Sequence, residues 1–546
     1  MAIISRSLSK NKRFFVWLIM LCAEIATSSC NLQDTEERVP QKVLQVRLKK
    51  NPTTLDPARI VDLDGARIAA KLYNGLVTFD EQLMPVPDLA ESWHLADDRR
   101  TYSFHLRRGV LFHDGHELTA DDVLYSFTRV LSPSTRSPRT WVLSRIAGAQ
   151  QYMSGQAASI AGLRKQGRYE IVIELSEPFA PFLCLLGLTT ASIISCHSMP
   201  SDRDDSVFLP CGTGPYMLSA WQHNQYLVLK AHERYWAGSP ALDGIRYAII
   251  PENFTALVAF EKGDIDVLPE ITSADYDRLA QDPIRRACML WQAPLNTYYL
   301  GLNCQMPPLT DVRVRRALHH ALDKHTILQR ILGGRGSVAC GPLPPLLRRV
   351  HIPDRYPYDP AAARALLQDA GYPHGFALTV YQVTDTETLD VMQAVQGYLA
   401  RVGITVTIVQ LEWSAFLEKV ARGEVPAFWL SWWADYPDAE NFLFPLFHSQ
   451  NWGPGGNRCR FRDPAIDERI VAAVRIGDGS QRHAAYQDIE QMIIDQAPFV
   501  WGWHKSVVGI RQPWVVGITL PPLPVMERWD RVVITEEKQE KPPGRG

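Results

Sequence analysis

Apolar and polar residues alternate along 42–48 (KVLQVRL), which predicts a half-buried β-strand near the start of the folded chain. The same two-residue period returns at 102–106 (YSFHL) and 169–175 (YEIVIEL), so strands are predicted there too. Between them the period lengthens. Residues 121–131 read as a helix with Thr119 as N-cap, and Asp121 and Asp122 in its first turn favour the positive end of the helix dipole. Further on, 312–322 (VRVRRALHHAL) sets Val314, Leu318 and Leu322 on one helical face, and 359–370 reads as a helix stopped by Gly371. Residues 378–380, 387–402 and 405–411 read as strand, helix and strand, with Gly403 at the helix exit. That order suits a parallel sheet, and the alternation along most of the chain predicts an α/β fold. No internal repeat or low-complexity block interrupts it.

The two ends break the pattern. Arg6, Lys10, Lys12 and Arg13 precede the apolar run 14–23 (FFVWLIMLCA), and small residues then lead to Cys30. A basic start, a short apolar core and a small-residue exit make 1–29 a secretory signal peptide. The run is about half of the roughly 20 residues a spanning helix needs. The order Thr27-Ser28-Ser29-Cys30 resembles the lipobox of bacterial lipoproteins, in which the cysteine takes a lipid and opens the mature chain. Thr27 stands where Leu is usual and Glu24 interrupts the apolar region, so cleavage near Ser28 or Ser29 to a soluble protein is the alternative. Cys30 is thus a lipidation candidate, and a lipid there is the one membrane association expected. Residues 30–41 read as a polar linker, and 536–546, which lack apolar content, as a disordered tail.

Composition narrows the function. A chain of 546 residues exceeds the length at which one core stops growing, roughly 250–300 residues. Lys and Arg number 57 against 59 Asp and Glu, leaving a formal net charge of −2. That balance excludes the basic footprint of nucleic-acid binding and a broad basic surface for anionic lipid. The cysteines beyond Cys30 (Cys184, Cys196, Cys211, Cys288, Cys304, Cys340, Cys459) can form disulfides in an exported chain. None makes a CxxC pair or sits near His at ligand spacing, so neither a metal nor a cofactor is expected. Enzyme signatures are also missing: HDG and HEL lack the HExxH spacing, and no GxSxG or P-loop occurs. Adjacent His113 and Asp114 read as a structural turn, not as a base and its orienting partner. His319 and His320 point in different directions around a helix.

The densest aromatic stretch is 428–447 (FWLSWWADYPDAENFLFPLF), where Trp429, Trp432 and Trp433 precede Asp435. A carboxylate beside indoles in a low-dielectric cleft attracts an ammonium strongly once water is expelled. A capping or core-bridging aspartate is the alternative. Trp413, in 411–417 (LEWSAFL), and Tyr436 are flat side chains that either stack on a ligand or anchor a core.

Taken in chain order, 55–58 (LDPA), 87–93 (PDLAESW), 101–129 (TYSFHLRRGVLFHDGHELTADDVLYSFTR), 212–216 (GTGPY), Tyr235-Trp236, 312–323 (VRVRRALHHALD), 341–345 (GPLPP) and 432–443 (WWADYPDAENFL) resemble one family. It is the extracellular solute-binding proteins of the peptide/nickel class, receptors of oligopeptide and dipeptide importers. The resemblance covers roughly 42–535. It implies the two-lobed periplasmic-binding-protein fold with an inserted subdomain in the first lobe. Lobe I would hold 42–80, 206–293 and 503–535, the insert 81–205, and lobe II 294–502, with crossovers near 294–303 and 498–503. It further implies no catalysis, a peptide or peptide-like ligand held between the lobes, and ABC permease and ATPase subunits as partners. An exported monomer in the periplasm or at the outer face of the envelope is expected.

In peptide-binding members the aspartate at this point of the motif accepts the ligand's α-amino group, a role that WWADYP places on Asp435. Trp432, Trp433, Tyr436 and Trp413 are its candidate neighbours, and Asn74 and Gly214 would face the cleft by the same resemblance. Gly212 and Gly214 equally serve a tight turn before a strand. For a ligand carboxylate, Arg313, Arg315, Arg330, Arg335 and Arg364 of lobe II all stay open. One departure is visible: the family's Asp-Gly before the Thr-x-Tyr strand is here Asp98 followed by Arg99-Arg100. Glycine there supplies a positive φ, so this turn is expected to differ. Rival readings keep the fold with a nickel chelate, haem, an opine-like conjugate or a sugar, or make the chain a sensory or cell-wall adaptor, or an exported hydrolase.

Overall fold

The computed structural model describes residues 42–198, 208–477 and 479–535. The expected signal peptide at 1–29, Cys30, the expected linker at 30–41 and the expected tail at 536–546 lie outside the described residues. The first predicted strand is Val43–Leu48, and its parallel partner Gly244–Ile249 pairs with it in unbroken register from Val43↔Gly244 to Leu48↔Ile249. Around this pair the sheet runs Met289–Gln292, Val507–Arg511, Val267–Leu268, Val43–Leu48, Gly244–Ile249, Tyr226–Ala231, Tyr216–Gln222. Leu44, Val46, Leu227, Leu229, Ile245 and Tyr247 fill the core of this lobe.

A second sheet runs Gly336–Val338, Phe499–Lys505, Asn296–Leu302, Ala427–Trp433, Ala377–Val383, Thr405–Leu411. Its last two strands are the predicted strand–helix–strand unit. They pair parallel from Ala377↔Thr405 to Val383↔Leu411 across the helix Thr386–Ala400. The inserted segment forms a third, antiparallel sheet, Ala90–Leu95, Thr101–Leu106, Glu170–Glu174, Leu163–Lys165. Tyr102, Phe104 and Leu106 of this sheet pack with Val123, Phe127 and Val130 of the helix Ala120–Leu131. Each such side chain, fully buried, contributes roughly 1.5–3 kcal/mol. The helix starts where the sequence puts it, with the Asp122 carboxylate accepting from the Thr119 N–H (2.9 Å) and hydroxyl (3.2 Å). The insert's core continues without a break into Phe428, Phe442, Phe447 and Trp501 of the second lobe.

The chain passes between the two large sheets twice, from Met289–Gln292 into Asn296–Leu302 and from Phe499–Lys505 into Val507–Arg511. Asn296 ties the crossings together: its Nδ2 donates to the Lys505 carbonyl and its Oδ1 accepts from the Lys505 N–H, both at 2.8 Å. Beside them Glu387 accepts from Ser273 (3.0 Å), Arg335 (3.3 Å) and Lys505, joining a residue of the first lobe to the second.

The turn at Asp98 differs less than expected. Arg99 itself adopts the left-handed backbone, φ +57°, while the Asp98 carboxylate accepts from the Arg100 N–H, the Thr101 N–H and the Thr101 hydroxyl. These three bonds hold the turn that glycine would otherwise permit without strain. Among the described residues no helix is long and apolar enough to cross a membrane.

Candidate functional site

Between the lobes lies a cavity of about 460 Å³. The first lobe and the insert line it with Asp62, Arg67, Arg139, Glu270 and the stretch 522–525, and the second lobe with Tyr298 and Trp433–Asp435; Lys505 stands where the chain crosses. Asp435 stands two residues past the end of the strand Ala427–Trp433, so the strand's end delivers its carboxylate to the cleft. The backbone around it is pinned twice. Its own N–H donates to Asn441 Oδ1 at 2.7 Å, and the Ala434 N–H donates to the Leu295 carbonyl at 2.8 Å. Across the cleft Arg139 of the insert meets the Asp435 carboxylate at 3.2 Å.

Strand alternation divides the two indoles. Trp433 is 45 % exposed and lines the cleft, whereas Trp432 turns to the core side and donates from Nε1 to the Asn441 carbonyl at 2.8 Å. Tyr436 is buried beneath the loop, donates to Glu440 and stands 6.0 Å from the ring of Trp141. Trp413 opens the helix Trp413–Ala421, 53 % exposed and 6.3 Å from Phe416, away from the cavity lining. The structure therefore brings Asp435 and Trp433 together and sets Trp432 and Tyr436 behind them.

Asn74 and Gly214 are placed elsewhere. Asn74 is buried, donating to Asp88 (3.2 Å) and accepting from the Thr213 hydroxyl (3.0 Å). A Cβ on Gly214 would stand 2.4 Å from the Lys71 carbonyl, so the residue allows its loop to lie directly on the end of the helix Leu63–Leu72. The Gly214 carbonyl faces His113 Nε2 (3.1 Å) and His232 Nδ1 (3.2 Å). Burial pushes His113 down to about 4, which keeps it neutral, while Asp114 accepts from Ser195 and from the His116 N–H. His113 and Asp114 thus have separate partners and hold a turn.

Four of the five arginines left open for a ligand carboxylate have other contacts. Arg313 pairs with Asp311, Arg315 is buried on the carbonyls of Leu309 and Gln496, and Arg335 lies against Ser273 and Glu387. Arg364 donates to the Arg401 carbonyl, and Arg330 is exposed. The cations at the cleft are Arg67, Arg139 and Lys505. Arg67 is already paired with buried Glu527 at 3.0 Å, and Lys505 with Glu387. Sequence reasoning missed Arg139, which meets Asp435 from 296 positions away in no motif.

Residues 84–454 match the family of bacterial extracellular solute-binding proteins, family 5 Middle. Heme-binding protein A of Haemophilus influenzae is 31% identical, across 87% of this chain and 89% of the relative. The dipeptide-binding protein of Escherichia coli is also 31% identical, across 83% and 87%. Among solved structures, the murein tripeptide binding protein MppA in its unliganded open form superposes with a TM-score of 0.78 at 26% identity, covering 90% of this chain and 97% of that one. HbpA2 from Haemophilus parasuis gives 0.76 at 27% identity, covering 90% and 100%. The matched segment spans both lobes, the relatives match almost end to end, and the two-lobed fold is the same: this chain belongs to the bacterial extracellular solute-binding proteins of family 5.

Proposed function

We propose that this protein is the exported receptor of an ABC importer, capturing a peptide-like ligand between its lobes and passing it to the membrane permease. The observation that carries the ligand class is the Asp435 carboxylate standing beside Trp433 in a cavity of about 460 Å³. That volume falls within the roughly 300–1,000 Å³ of small-ligand sites. A ligand ammonium would replace the Arg139 guanidinium on Asp435. Because that pair is partly exposed, it is worth only about 0–1 kcal/mol, so the exchange costs little. Lobe closure then follows from contacts the ligand makes with both sides, and the partner ATPase subunits supply the energy for uptake. The receptor acts as a monomer, and Cys30 is the residue that would carry a lipid anchor.

Calorimetric titration with a library of di- to pentapeptides tests this reading. Binding is expected for part of the library. In the Asp435→Ala chain affinity should fall at least tenfold, as the loss of a desolvated charge pair costs about 2–5 kcal/mol. In the Arg139→Ala chain it should change less than about fivefold. Silence across the library defeats the peptide assignment. The 31% identity to a haem-binding relative favours haem as the second reading, for which a shifted Soret band in the same titration is the sign.

A further inference from the structure

We infer that the cavity between the inserted subdomain and the second lobe is a separate ligand site, taking a small organic anion with an apolar body. The cavity measures about 340 Å³ and shares no lining residue with the cleft that holds Asp435. Its insert side presents Trp93, Tyr102, Phe179 and Leu183, and its lobe II side Leu346 and Leu347. Into these apolar walls project four guanidiniums, Arg99 from the insert and Arg349, Arg475 and Arg482 from the second lobe.

Two of the four are neutralised: Arg475 by Glu177 at 3.0 Å and Arg482 by the buried Asp438 at 3.3 Å. The other two are exposed. Among the described residues neither Arg99 nor Arg349 has an ion pair, and Arg349 points its Nη2 at Met84 Sδ, 2.8 Å away and a weak acceptor. Burial and Arg349 hold His483 below the ordinary imidazole range, so its ring adds no positive charge at neutral pH. Tyr486 also lines the cavity, 4 % exposed, with its hydroxyl beside the Asp438 carboxylate. Two guanidiniums with no ion pair among the described residues, set beside aromatic walls, are complementary to a carboxylate or phosphate on an aryl or medium-chain body.

The backbone points the same way. Leu83, Arg99 and Arg349 line the cavity with left-handed φ of 62°, 57° and 61°, and such strain persists where the surroundings require it. At Arg99 the alkyl stem crosses from the insert onto lobe II, within 3.7 Å of where a Cβ on Gly477 would stand. A glycine would relax this turn, yet the chain keeps a cation there. An anion held between Arg99 and Arg349 touches both banks.

Calorimetry with 3-phenylpropionate, octanoate and octyl phosphate on the mature chain is the test. One-to-one binding is expected for at least one of them, at least tenfold tighter than octanol or inorganic phosphate. It should persist in the Asp435→Ala chain and weaken at least tenfold in both Arg349→Gln and Arg99→Gly. Arg99→Gly guards against a folding artefact, because glycine suits the left-handed position and the unfolding midpoint should hold or rise. No heat with any of the three anions, equal binding of octanol or of inorganic phosphate, undiminished binding in the two arginine variants, or loss of binding on Asp435→Ala would each overturn the assignment.

Discussion

Beneath the cleft loop, Glu440 is buried, accepts a hydrogen bond from the Tyr436 hydroxyl, and is pushed up to about 7 by burial and then by Asp438. The folded chain therefore holds this proton more tightly than the unfolded chain, whose carboxyl ionises near 4.5. Stability contributed here is full below about 4.5 and is lost as pH rises to about 7. Glu440→Gln keeps an acceptor for Tyr436 and removes the titration. Relative to the parent, the variant should be more stable by on the order of 2–3 kcal/mol at pH 8 and indistinguishable at pH 4, read from urea unfolding of both chains. An equal difference at the two pH values would mean that the site does not titrate. Asp435 was legible in the sequence because it sits in a dense aromatic motif on a strand end. Arg139 was not, because one cation among 57 gains its role only from a contact made by the tertiary fold.

Among the elements, the strand Ala377–Val383, the helix Thr386–Ala400 and the strand Thr405–Leu411 were readable because each is long enough to show a period and ends on a residue that stops it. Val267–Leu268 and Pro85–Pro87 were not, since two or three residues carry no period and are strands only through the neighbours they pair with. The loop before Tyr216–Gln222 illustrates the limit of a motif: GTGPY was readable as a unit, but its place was not. Gly214 seats the loop on the end of Leu63–Leu72 and offers its carbonyl to His113 of the insert and His232 of the first lobe. Gly214→Ala pushes a methyl into the Lys71 carbonyl and should cost about 1–3 kcal/mol, measured as a lower urea midpoint. Ligand affinity per folded molecule should stay as it was; a large loss of affinity at unchanged stability would place Gly214 in the binding surface after all.

At the scale of the whole molecule, the second lobe is one continuous stretch, whereas the first is assembled from three. The strand Val507–Arg511 lies between Met289–Gln292 and Val267–Leu268, pairing antiparallel with both. Until that strand exists, the first lobe's sheet is split, with Met289–Gln292 cut off from the rest. At roughly 5–20 residues per second, the ribosome needs on the order of 10–40 s to travel from the one edge of that gap to its filler. During this interval neither sheet is complete, because Phe499–Lys505 likewise lies between Gly336–Val338 and Asn296–Leu302 of the second; the second closes once residue 505 has emerged and the first only with the strand after it. Nascent chains stalled with residues up to 505 emerged should accordingly yield a protease-resistant fragment from 296–505, with 43–292 still open to cleavage; resistance in the reverse order would contradict it. For the exported receptor proposed above, two adjacent late strands would work as a timer, keeping both large sheets open until residues 499–511 have emerged.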